Sequence, residues 1–158
     1  MNNLKYSHYD IVFQEVPNEV SLVFNISGCP YKCKGCHSTY LWDYTGNLLC
    51  DDCDTILNKY KNLVTCVCFM GGDQNIEELK KYLVLTKEIY GLKTCIYSGS
   101  DSIETFKSVM EYLDYLKVGK YDENLGGLDN PNTNQRFYKI NNEIMTDITY
   151  MFRKQSKL

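Results

Sequence analysis

Four short, mostly apolar runs limit most strongly how this chain can fold. They cover residues 21–26, 64–70, 94–97 and 113–118, and a glycine follows each of them within two positions. Runs this short that are apolar on both faces are typical of parallel strands covered by helices. Open α/β sheets bind their ligands beyond the carboxyl ends of such strands, so the residues after each run are the first place to look for a site.

Segments with helical spacing separate these runs. Apolar residues recur at positions 76, 79, 83 and 90 in one segment and at 103, 106, 110 and 113 in another, and residues 52–61 show a weaker helical pattern. Asp101 and Glu104 are placed like a capping pair. The order predicts an α/β fold with a mainly parallel sheet. A complete eight-fold barrel needs about 250 residues, so 158 residues predict a partial, TIM-like β/α barrel.

Composition and charge restrict the class of protein. The chain is 44% hydrophobic and 23% charged, which fits one globular domain over residues 1–158. A formal net charge of −3 gives no electrostatic footprint for nucleic acid. No apolar run approaches the roughly 20 residues that span a bilayer, and the N-terminus lacks the basic-then-apolar order of a secretory signal. We therefore expect a cytoplasmic protein whose eight cysteines are reduced thiols or metal ligands.

Three of the cysteines follow the first run in the spacing Cys29-x3-Cys33-x2-Cys36. Closed zinc and iron–sulfur sites normally take four protein ligands. Three thiolates on one short loop predict instead a [4Fe–4S] cluster whose fourth iron has no protein ligand. An open coordination position on a metal is where a substrate or cofactor binds.

A zinc ribbon is the alternative that the cysteines leave open. Cys33-x2-Cys36 and Cys50-x2-Cys53 resemble its two halves, with 13 residues between them, where roughly 15–20 are typical. Such a protein would be a binding module without catalysis. This interpretation leaves Cys29 without a role, and it does not account for the glycine pair after the run at 64–70.

Two motifs resemble those of radical S-adenosylmethionine (SAM) enzymes. Cys29-x3-Cys33-x2-Cys36 is similar to the signature of that superfamily. Met70-Gly71-Gly72-Asp73 is similar to its Gly-Gly-Glu-type motif, with aspartate where glutamate is commoner. Glycine suits a place where main chain approaches a ligand closely. The resemblance implies that the open iron binds the methionine moiety of SAM, and that one electron cleaves the cofactor to a 5′-deoxyadenosyl radical.

Three further stretches resemble one family within that superfamily. Val118-Gly119-Lys120-Tyr121, Asn134-Gln135-Arg136 and the stretch GCHSTYLW resemble motifs of the activating proteins of anaerobic (class III) ribonucleoside-triphosphate reductase. The resemblance implies an oxidoreductase that installs a glycyl radical on that reductase and takes its electron from a flavodoxin-like donor. Activation of a different glycyl-radical enzyme is the nearest alternative.

The resemblance also implies which residues form the site. The cluster ligands and catalytic residues are Cys29, Cys33 and Cys36. The residues expected to contact SAM are Gly35, Cys36, His37, Gly71, Gly72, Ser98 and Gly99. The roles of Trp42 and Asp73 stay open, and the amine of Lys117 would meet either the cofactor carboxylate or solvent.

The remaining cysteines have simpler explanations. Cys66 and Cys68 alternate along one predicted strand and therefore share a face, and Cys95 lies in the next strand. Free cysteine packs as a small hydrophobe, so we expect these three to be core residues. The role of Cys50 and Cys53 stays open.

Overall fold

The computed structural model describes residues 2–153. Within that part of the chain, one sheet contains eight strands in the order β3-β1-β2-β4-β5-β6-β7-β8. The strands are β1 (Lys5–Val12), β2 (Ser21–Ile26), β3 (Asn47–Leu48), β4 (Cys66–Met70), β5 (Lys93–Tyr97), β6 (Tyr115–Val118), β7 (Arg136–Asn141) and β8 (Ile144–Asp147).

The centre of the sheet is parallel and both flanks are antiparallel. The pairs β2–β4, β4–β5 and β5–β6 are parallel. The pairs β1–β2, β1–β3, β6–β7 and β7–β8 are antiparallel. The predicted parallel strands are therefore present, but four of these seven pairings are antiparallel and the sheet as a whole is mixed. One reason is the two-residue turn at Asn142 and Glu143, which both have positive φ and so close a tight β7–β8 hairpin.

Helices fill the connections between the parallel strands. They are α1 (Leu49–Tyr60), α2 (Ile76–Val84), which continues into a π-helical turn (Leu85–Ile89), and a 3₁₀ helix (Ile103–Tyr112). Within residues 2–153, none of the helices combines the length and apolar character that crossing a membrane requires.

Of the predicted capping pair Asp101 and Glu104, Asp101 does not cap the helix. The side chain of Ser102, not that of Asp101, accepts a hydrogen bond from the Glu104 amide at the start of the 3₁₀ helix, at 3.2 Å. The Asp101 carboxylate accepts one from the Lys120 amide instead, at 2.9 Å. Both residues precede the helix closely enough to cap it, and the loop after β6 decides which one does.

The two faces of the sheet bury different cores. The helices cover one face, where Phe24, Phe69, Leu83 and Phe106 are fully buried. The opposite face holds a smaller cluster whose buried members are Val16, Val23, Cys66, Cys68, Cys95, Tyr115, Phe137 and Ile148. The prediction that the three strand cysteines are core residues is confirmed, because all three have no exposed surface.

A tyrosine–carboxylate hydrogen bond links β1 to α1 and gives a testable pH dependence. Tyr6 donates to the Asp52 carboxylate at 2.6 Å, and burial, reinforced by that bond, raises the pKa of Tyr6 from 10 to about 12. Folding therefore favours the neutral phenol. Its contribution to stability is complete below about pH 10 and is lost as the pH rises through about 12.

Tyr6→Phe should lower the free energy of unfolding by about 1 kcal/mol near pH 8, the usual value of one hydrogen bond. It should also make the loss of stability between about pH 10 and pH 12 shallower. Urea denaturation over that pH range measures both effects, with Tyr150→Phe at an exposed position as the control. An unchanged slope for Tyr6→Phe would show that this phenol does not titrate with folding.

Candidate metal centre

A cleft lies at the carboxyl ends of the parallel strands. Its volume is about 770 Å³, including the space at its open mouth. Its lining residues are Ile26, Cys29, Pro30, Tyr31, Cys33, Cys36, Ser38, Leu41, Trp42, Met70, Gly71, Asp73, Gln74, Tyr97, Ser98, Gly99, Lys117, Tyr121 and Gln135. The cleft therefore occupies the place that the ends of the apolar runs predict, and all three cysteines of the loop border it.

The loop after β2 positions these cysteines. The Cys29 amide donates to the carbonyl of Leu41 at 2.9 Å, which fixes the entry to the loop. Lys32 and Gly35 both have positive φ, so the backbone bends at two positions between Cys29 and Cys36. All three cysteines line the cleft.

The three thiols differ in exposure, and a buried lysine lies near two of them, Cys33 and Cys36. Cys33 is 8% exposed, and the other two are half-buried. The Lys117 amine is buried at the floor of the cleft and donates to the carbonyls of Ser98 and Gly119, at 3.2 and 3.1 Å. Burial lowers the pKa of Lys117 to about 8, while nearby Cys33 and other anionic groups act in the opposite direction. Any anionic group bound in the cleft would favour the charged amine.

The glycine pair after β4 has two separate structural roles. Gly71 and Gly72 have φ near +100°, a conformation that favours glycine. Gly71 borders the cleft, and its amide donates to the Tyr97 carbonyl at 2.9 Å. Gly72 is buried behind it, where a Cβ atom would lie 3.2 Å from a methyl group of Leu79. Of the predicted pair, Gly71 is therefore the one that a bound molecule would meet.

The other predicted contact residues divide between the cleft and its outer rim. Ser98 and Gly99 border the cleft. Gly35 and His37 lie outside the cleft, next to Tyr121. A Cβ atom at Gly35 would come within 2.8 Å of the Glu123 carboxylate, and the His37 ring centre is 5.9 Å from that of Tyr121. Neither residue is among those that line the cleft.

Two sequence motifs meet at one side of the cleft. The Gly119 carbonyl accepts hydrogen bonds from both Lys117 and Gln135, and the Asn134 amide side chain donates to the Lys120 carbonyl at 2.9 Å. A Cβ atom at Gly119 would lie 2.8 Å from the Cα of Gln135. The segments 118–121 and 134–136 therefore pack together as one unit. Tyr121 and Gln135 are the residues of these two segments that line the cleft.

Sequence reasoning missed Tyr31 and left Asp73 without a role. The Asp73 carboxylate accepts hydrogen bonds from the Tyr31 hydroxyl at 2.6 Å and from the Ser98 hydroxyl at 2.7 Å. The position of Tyr31 between the first two cysteines was the only signal that could have indicated its importance.

The second cysteine pair is not part of this site. Cys50 is exposed on α1, and Cys53, one turn further on, belongs to the core on the helical face, where burial raises the pKa of its thiol to about 12. Within residues 2–153, no three histidine, cysteine or acidic side chains converge closely enough to hold a single metal ion. The four ribbon cysteines are thus not assembled. A cluster takes one thiolate per iron, so three cysteines spread around one cleft suit it better than a single ion.

Comparison with known proteins supports an iron–sulfur site at the three cysteines. The chain belongs to the 4Fe-4S single cluster domain family, whose model matches residues 19–143, a range that contains the cysteine loop, all the parallel strands and segment 134–136. No curated protein and no solved structure matches the chain. The family supports an iron–sulfur cofactor, and the three cysteines at the cleft are the residues of this chain that fit it.

Proposed function

We propose that this protein is a radical SAM activase that installs a glycyl radical on anaerobic ribonucleoside-triphosphate reductase. One observation carries the proposal: in a chain of a single-cluster family, the residues that line the cleft include three cysteines and no histidine. Three thiolates leave one iron of a four-iron cluster without a protein ligand, as a cofactor that binds to iron requires. The parallel centre β2-β4-β5-β6 of an open sheet is the part of the fold that we assign to an incomplete barrel of the radical SAM type.

Cys29, Cys33 and Cys36 would hold the cluster. When bound, a [4Fe–4S] cluster with an open iron supplies the electron for reductive cleavage of SAM. The chain itself provides position and charge. The buried amine of Lys117 faces the same cleft as the thiols and would bind the SAM carboxylate. Ile26, Leu41 and Trp42 line the same cleft and would limit the access of water to a bound cluster.

The open side of the cleft favours a protein substrate. The sheet ends at two edge strands, β3 and β8, so it does not close around the site. A small substrate would leave a reactive radical exposed to solvent, whereas a loop of a large partner would complete the wall. The Cα hydrogen of a glycine on such a loop is a suitable target, because the product radical is delocalised over two flanking amides. A flavodoxin-like protein is the proposed electron donor.

The test is anaerobic incubation of the reduced protein with SAM and the reductase. We expect SAM to be cleaved to 5′-deoxyadenosine and a glycyl doublet to appear in the EPR spectrum of the reductase. A Cys33→Ala chain in the same mixture should give neither product.

Two outcomes would change the proposal. A doublet that forms on a different glycyl-radical enzyme but not on the reductase would replace the partner and keep the chemistry. A protein that binds about four irons but does not cleave SAM would be an iron–sulfur protein without radical chemistry.

A further inference from the structure

One carboxylate oxygen joins three segments that surround the cleft. Asp73 follows β4, and its Oδ2 atom accepts hydrogen bonds from Tyr31 in the cysteine loop and from Ser98 after β5, at 2.6 and 2.7 Å. The Ser98 hydroxyl also accepts from the Ser100 amide at 2.9 Å. Tyr31 is 42 positions and Ser98 is 25 positions from Asp73 along the chain, and both hydroxyls bind the same carboxylate oxygen.

The Tyr31 ring rests on a glycine that leaves room for it. A Cβ atom at Gly99 would lie 2.9 Å from both Cγ and Cδ2 of the ring, so any other residue there would displace it. The Tyr31 hydroxyl donates its proton to the Asp73 carboxylate, which can only accept.

The cysteine loop has little else to hold it. Among the described residues, loop 30–35 takes part in one backbone hydrogen bond, from the Cys36 amide to the Cys33 carbonyl at 3.1 Å. The ion pair between Lys34 and Glu123 is at the surface, with Lys34 89% exposed, and such pairs contribute little. The bond from Tyr31 to Asp73 is thus the main connection between the middle of the loop and the sheet.

We propose that Tyr31, Asp73 and Ser98 are positioning residues that hold the cysteine loop against the ends of β4 and β5, and so fix the thiols for the cluster. The role deepens the proposed function but rests only on the part that concerns cluster binding. It also gives the acidic residue of the Gly-Gly-Asp motif a protein contact, through its Oδ2 atom.

The experiment compares Tyr31→Phe with Tyr6→Phe. The two tyrosines are matched, because each donates a hydrogen bond to an aspartate carboxylate at 2.6 Å. Only Tyr31 belongs to the cysteine loop. After anaerobic reconstitution, a ferrous chelator is added and the loss of cluster absorbance is followed, together with the melting temperature of each chain.

We expect Tyr31→Phe to lose its cluster about five- to tenfold faster than the unchanged protein, which corresponds to one hydrogen bond. Tyr6→Phe should lose it at the unchanged rate, although both variants melt earlier. Equal rates for the two variants would overturn the proposal. If Tyr31→Phe does not fold, Ser98→Ala, which leaves the tyrosine in place, should release iron faster than Ser102→Ala, and equality there would overturn it as well.

The outcomes separate this proposal from the proposed function. A chain that binds its cluster, releases it faster in Tyr31→Phe and does not cleave SAM would keep the positioning role and lose the activase. If the unchanged chain cleaves SAM and Tyr31→Phe releases its cluster at the same rate as Tyr6→Phe, the activase proposal is kept and the positioning role is lost. A chain that binds no iron would overturn both.

Discussion

Replacement of any one of Cys29, Cys33 and Cys36 by alanine should remove most of the iron from the purified protein. Under the proposed function, it should also abolish reductive cleavage of SAM. A cluster held by three thiolates has no spare protein ligand, so the loss of one leaves two irons without support. Iron and sulfide analysis after anaerobic reconstitution measures the first effect, and 5′-deoxyadenosine formation measures the second. The unchanged chain should hold about four irons.

Cysteines outside the cleft provide the matched controls. Cys66→Ala removes a buried thiol from the core and should lower stability by about 1 kcal/mol while iron content stays unchanged. Cys50→Ala changes an exposed thiol and should alter neither quantity. Loss of iron from Cys50→Ala equal to that from Cys33→Ala would contradict the three-ligand site.

The second large effect is expected from Gly119→Ala, which should lower the free energy of unfolding by about 2–4 kcal/mol. Two costs combine. Gly119 has a φ of +114°, and the new Cβ atom would lie 2.8 Å from the backbone of Gln135. Relief of that contact must move segment 118–121 away from segment 134–136, which breaks the hydrogen bonds to the Gly119 carbonyl. Urea denaturation gives the loss of stability.

Gly91→Ala is the control for backbone conformation alone. Gly91 also has a positive φ, of +65°, but a Cβ atom there would meet nothing within 4 Å. This variant should lose only about 1 kcal/mol, the cost of a left-handed residue. If the two variants were equally destabilised, the close approach of Gly119 to Gln135 would not contribute to the stability of this region.

The central strands and the cysteine loop were predictable because their signals are local. An apolar run that ends at glycine contains both the strand and its end, as in residues 64–70 before Gly71. The structure has β4 at Cys66–Met70 and places the cleft at its end. The helix over Ile103–Tyr112 was predicted from spacing, but its 3₁₀ character was not. Spacings of three residues are shared by both kinds of helix.

The antiparallel flanks were not predictable in the same way. In β1, only Tyr6 is fully buried among eight residues, so the strand lacks the apolar pattern that marks the central ones. Its place beside β2 depends on pairing with a neighbour, which no local pattern records. The same is true of β8, where three of four residues are exposed.

The sequence by itself determined the donors of this site: three cysteines on one loop and glycines at the strand ends. Only the tertiary structure decided what surrounds them. Asp73 meets Tyr31 and Ser98, and Lys117 is buried beside the thiols, because the parallel register brings the ends of β4, β5 and β6 to one edge. A residue's type and spacing are properties of the chain. Its burial and its hydrogen-bond partners arise only when distant segments pack together.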